Sequence, residues 1–136
     1  MFGRIAAAAA VIALGAPAVA GAATYAGTFK DGGSVSFSTV NRNGKIVRVK
    51  DFSWKNLSAR CDQGAFNYTG KLPFSVAVNG LGFAVTATGA DLVQSVGGRF
   101  TDHKRKANGT LNVYGALAPR ESNCSTGTLR WTANRR

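Results

Sequence analysis

The stretch FSVAVNGLGFAV, Phe74 to Val85, sets two alternating apolar runs on either side of Asn79-Gly80. Alternation places every second side chain on one face of a strand, and Asn-Gly supplies the positive φ that a type I′ turn demands at both central residues. The segment therefore reads as a β-hairpin, with strands over Phe74–Val78 and Leu81–Ala87.

The same grammar continues outward in both directions. In Ser34–Val40 the side chains of Val35, Phe37 and Thr39 share one face. Lys45–Lys50 follows, with Val47 and Val49 expected on one face and Ile46, Arg48 and Lys50 on the other. Asn41-Arg42-Asn43-Gly44 between them reads as a hairpin turn. That second strand is expected to run to Trp54, and keeping Phe52 and Trp54 both inward requires a bulge after Val49. A third Asn-Gly, Asn108-Gly109, ends the polar stretch Asp102–Lys106 between strands at Arg99–Thr101 and Leu111–Tyr114. In the last strand, Thr126–Ala133, the residues Leu129, Trp131 and Ala133 face the core. Tyr25–Lys30, Phe66–Leu72 and Leu92–Val96 complete the set, and Leu117–Asn123, broken by Pro119, reads as irregular loop. About 8–10 short strands with regular turn signals predict an all-β domain: an antiparallel β-sandwich of jelly-roll type, or alternatively a closed β-barrel.

Residues 1–20 read differently. Arg4, the apolar run Ile5–Gly15, Pro17 and the small triplet Ala18-Val19-Ala20 follow the order of a secretory signal peptide cleaved after Ala20. Mostly alanine and interrupted by Gly15 and Pro17, the run is a poor candidate to span a bilayer, which takes ~20 strongly apolar residues. The expected mature chain, residues 21–136, is one secreted domain with no membrane insertion after cleavage. Its two cysteines, Cys61 and Cys124, are an even count in an oxidising compartment and are expected to form one disulfide, as against two free thiols that merely pack.

The opening Thr24-Tyr25-Ala26-Gly27-Thr28-Phe29, the mid-chain Ala59-Arg60-Cys61 and the closing Cys124–Ala133 (CSTGTLRWTA) resemble a group of uncharacterised small secreted all-β proteins of high-GC bacteria. The resemblance implies export, the disulfide and a β fold, and brings no catalytic residues with it.

Residue inventory restricts the chemistry. One histidine and two distant cysteines do not meet the ligand count of a structural zinc site, and no calcium loop is present. His103 lies beside Lys104, Arg105 and Lys106 and reads as a solvated loop residue. Asp31, Asp62, Asp102 and Glu121 fall in apparent turns and Asp51 and Asp91 near strand ends with nothing to pair them, so no pair of carboxylates suggests glycosidase chemistry. Neither a catalytic activity nor a cofactor or metal is expected. Tyr25, Trp54, Tyr68, Tyr114 and Trp131 are expected in the core, with Tyr68 and Tyr114 the most exposed. The sequons at Asn56, Asn67, Asn108 and Asn123 read as products of an Asn- and Thr-rich composition.

Cations are the most plentiful functional material: 17 Lys and Arg against 6 Asp and Glu give a formal charge of +11. Arg48 and Lys50 share a strand face, Lys104, Arg105 and Lys106 crowd a loop, and Arg130, Arg135 and Arg136 load the C-terminal end. The expected function is binding, as a monomer outside the cell or at its surface, of an anionic polysaccharide, another polyanion or a glycan. The contacts are expected from Arg48, Lys50, Lys104, Arg105 and Lys106. The alternative is a protein-binding secreted factor such as an inhibitor of an extracellular enzyme.

Overall fold

The computed structural model describes residues 20–136; the expected leader lies outside the described residues except for Ala20. Ten strands make up the described chain: β1 Ala20–Phe29, β2 Ser34–Arg42, β3 Lys45–Cys61, β4 Gly64–Lys71, β5 Val76–Ala77, β6 Gly82–Thr88, β7 Leu92–Thr101, β8 Lys106–Gly115, β9 Cys124–Ser125 and β10 Leu129–Arg135. All their pairings are antiparallel.

The ladder runs β10-β1-β2-β3-β9-β8 and then returns from β8 to β10, a closed six-stranded barrel. Of the two architectures expected from the strand pattern, the barrel is the one observed. β7 and β6 extend the wall from β8, while β4 and β5 pair with the edge of β3 away from β2. Closure between β3 and β9 rests on a single residue pair, Arg60 opposite Ser125. Immediately beside it Cys61 and Cys124 form the expected disulfide, and both are buried.

One aromatic cluster fills the interior. Tyr25, Phe37, Phe52, Phe83, Phe100 and Trp131 come from six different strands and are all buried. Tyr25 stacks on Phe37 at 5.0 Å, and Trp131 meets Phe37 and Phe52 edge-on at 5.7 and 5.5 Å. Because Phe83 and Phe100 join from β6 and β7, the ring and its extension share one core. Burying a side chain of this size contributes roughly 1.5–3 kcal/mol, and each well-placed aromatic pair roughly 0.5–1.5 kcal/mol more.

β3 turns its core residues inward with three bulges. Its buried positions are Ile46, Val49, Phe52, Trp54, Leu57, Ala59 and Cys61, and each step of three marks an extra residue. The pairing shifts register at the same places: between Val40 and Asn41, between Ser36 and Ser38, and between Trp54 and Leu57. The bulge after Val49 is the one the sequence required, and Asp51 takes φ 54° to make it. The bulge at Val47 corrects the expected face of Ile46, which packs inward with Val49 while Arg48 and Lys50 stay outside. Bending at each bulge lets one long strand serve β2, β5, β4 and β9 in turn.

Turn positions differ from expectation in two hairpins. In the β5–β6 hairpin Asn79 and Gly82 exchange backbone hydrogen bonds of 2.9 and 3.1 Å, so the central residues are Gly80 and Leu81. Only Gly80 has positive φ, at 64°, which is a type II′ turn and needs glycine at its first central place alone. Asn108-Gly109 lies within β8 and makes no turn; the chain reverses earlier, at Asp102–Arg105. Asn43-Gly44 does turn as expected, at φ 50° and 77°, between the paired Arg42 and Lys45.

Candidate polyanion interface

The β7–β8 turn is built from three consecutive left-handed residues, Asp102, His103 and Lys104, at φ 51°, 57° and 67°. Each such residue other than glycine costs roughly 1 kcal/mol or more, and the surroundings must hold it. Three contacts do so, and a fourth fixes the neighbouring end of β10. The Tyr25 hydroxyl donates to the Lys104 carbonyl at 2.5 Å, and the Lys104 ammonium donates to the Gly44 carbonyl at 2.6 Å. The Arg135 amide donates to the Arg105 carbonyl, and the Arg136 amide to the Thr24 carbonyl, both at 2.8 Å.

These contacts bring three distant segments to one end of the barrel. Lys104, Arg105 and Lys106 meet Arg135 and Arg136 from the end of β10, and Arg42 and Lys45 from the β2–β3 turn. Between the β7–β8 turn and the end of β10 lies a groove of about 550 Å³ lined by Asp102, Arg105, Lys106, Asn134, Arg135 and Arg136. Among the described residues Asp102 is the one acidic side chain beside the seven cations, 3.6 Å from Arg105 Nη2 and 4.0 Å from His103 Nδ1. The other acids stand elsewhere: Asp31, Asp62 and Asp91 in other turns, Asp51 in a bulge of β3, Glu121 in the loop before β9. Lys104 is half-buried and the other six cations are exposed. Beneath them, burial pushes the Tyr25 hydroxyl above the ordinary phenol range, and the nearby positive charge of Arg135 offsets part of that rise.

Arg48 and Lys50 are placed differently from the loop trio. They pair with Val40 and Ser38, two and four residues of β2 from the Arg42–Lys45 pair, or roughly 7 and 13 Å at ~3.3 Å per residue. The Arg48 side chain bonds Ser75, through Nε to the hydroxyl at 2.9 Å and Nη2 to the carbonyl at 3.3 Å. Lys50 projects from the outer face, opposite Ser38. Arg130 lies at the far end of β10, where its carbonyl accepts from the Lys30 amide. Arg42 and Lys45 were not singled out in the sequence; flanking a tight Asn-Gly turn, they are carried to a hairpin tip, which was the available signal.

What the end can do chemically is bind anions: it offers many donors, high positive charge and access from solvent. The His103 side chain is 89% exposed, and no group of three His, Cys, Asp or Glu converges among the described residues. Elsewhere Tyr114 is exposed, Tyr68 packs on Trp54 at 6.2 Å, and Tyr25, Trp54 and Trp131 are core. Comparison with protein-family models, with curated proteins and with solved structures finds no match to this chain.

Proposed function

We propose that the protein is a non-catalytic binder of an anionic polymer outside the cell or at its surface, and that the barrel end around Lys104 is its contact. One observation carries the reading: the strained β7–β8 turn is clamped against Tyr25 and Gly44 so that seven cations and one acidic side chain share one rim. Strain of this kind persists where something fixes it, and here it sets the cations outward. The buried disulfide suits an oxidising compartment and supports the extracellular placement. Contact of this kind releases counterions, so affinity falls as salt rises.

The test uses single-stranded oligo(dT) as a plain polyanion. Log affinity is expected to fall linearly with log salt, with a slope of about −0.7 for each phosphate neutralised. The triple variant Arg105→Ala, Lys106→Ala, Arg136→Ala is expected to flatten that slope by about 2, whereas Arg48→Ala with Lys50→Ala leaves it unchanged. Affinity indifferent to salt removes the electrostatic mode, and a slope that the triple variant leaves intact removes the site.

A further inference from the structure

At the other end of β7 a small groove of about 300 Å³ opens between the β4–β5 loop and the β6–β7 hairpin. Its walls are apolar: Pro73, Phe74, Ala87 and Leu92, with Lys71 at the rim and Gln94 also on the lining. Phe74 is 47% exposed, although the chain had a closed core available to take an aromatic ring. Gln94 is the reverse case, a polar side chain with only 7% exposure.

The Gln94 amide has one hydrogen bond. Its Nε2 donates to the Lys71 carbonyl at 3.4 Å. A carbonyl oxygen only accepts, so the partner fixes which way the amide is turned, and Oε1 is left facing away from Lys71. Oε1 accepts nothing from the described residues and, unlike the unpartnered and buried Trp54 Nε1, keeps access to solvent. A side chain only 7% exposed, with its acceptor open to water and unclaimed by the protein, thus sits on the lining of a groove beside an exposed aromatic face, and a donor can take the place of that water.

We infer that this groove is a binding site for a small aromatic molecule carrying a hydrogen-bond donor, of phenol type, with its ring on Phe74 and its hydroxyl donating to Gln94 Oε1. The size of the groove, at the lower limit of ordinary ligand pockets, suits one or two fused rings. An acceptor on the lining selects a hydroxyl and discriminates against its ether, which leaves Oε1 desolvated and unpaired. The site is independent of the cationic end, being separated from it by the length of β7.

Titration of the full-length chain with p-cresol, followed by the amide resonances of Ala87, Leu92 and Gln94, tests it, with 4-methylanisole as the ligand lacking the donor. Shifts confined to this groove are expected, with p-cresol binding about tenfold more tightly than the ether. Phe74→Ala, at an exposed position where folding is retained, is expected to abolish saturable shifts, and Gln94→Met to erase the preference for p-cresol. Equal affinity for the two probes in the unaltered protein overturns the proposal, as do shifts that survive Phe74→Ala.

Discussion

The hydroxyl of Tyr25 reaches across 79 residues of sequence to the Lys104 carbonyl, tying the floor of the barrel to the turn that carries the cations. The ring beneath that hydroxyl is stacked on Phe37 and fully enclosed, so the anchor point has little freedom.

Tyr25→Phe keeps the ring and removes the tie. Stability is expected to fall by about 1 kcal/mol, the worth of one hydrogen bond, read as a urea midpoint. The pH dependence follows from the raised pKa of the hydroxyl. Above the ordinary phenol range the unfolded chain gives up this proton while the folded chain keeps it, so stability is full below that range and is lost as pH rises through it. The Phe variant is expected to decline less steeply than the parent at such alkaline pH.

His103 occupies the middle of the left-handed run at φ 57°, with its side chain in solvent. His103→Gly relieves the backbone and removes only a 4.0 Å approach to Asp102. A gain of about 0.5 kcal/mol is expected, the relief of the left-handed residue outweighing the entropy that glycine adds to the unfolded chain. Oligo(dT) affinity at neutral pH is expected to be unchanged.

Gly109 of β8 stands opposite Gly98 of β7. A Cβ there would stand 1.9 Å from the Gly97 carbonyl oxygen, which is backbone and has no rotamer to change, whereas a Cβ on Gly97 itself meets nothing closer than 3.7 Å. Gly109→Ala is expected to cost about 3 kcal/mol or more, and Gly97→Ala less than about 1 kcal/mol. Thermal unfolding of the two variants side by side reads the difference.

Removing the bridge with Cys61→Ala and Cys124→Ala is expected to cost about 4 kcal/mol by the chain-entropy estimate for a crosslink spanning 63 residues. Since Arg60 and Ser125 are the one residue pair joining β3 to β9, the loss is expected to show first as faster amide exchange at Ser125 and Thr126.

Much of this architecture is legible in the chain because alternation is a local signal. Val35, Phe37 and Thr39, or Trp131 and Ala133, declare their face within a few residues, and two cysteines in a chain with an export-like leader declare their partner. The bulges of β3 are harder: Val47 turns Ile46 inward only because β2 pairs with the strand out of step there, and nothing within Lys45–Lys50 states that. Ring closure is a matter of which distant strands pair, as with Tyr25 opposite Arg135 and Leu111 opposite Leu129. The site inherits that difficulty. Lys104–Lys106 stand out as a run, but their company with Arg42, Lys45 and Arg136 depends on contacts to Gly44 and Thr24 from far away in the chain. Gln94 gives no warning at all, since a glutamine in an alternating strand reads as surface.

The ten residues of β7 separate the charged rim from the aromatic groove. A molecule gripped through the one stands upright on whatever grips it and turns the other toward the surrounding medium. Attachment and capture would then not compete for the same surface, and a crowded layer of such molecules would still present its clefts to passing solutes.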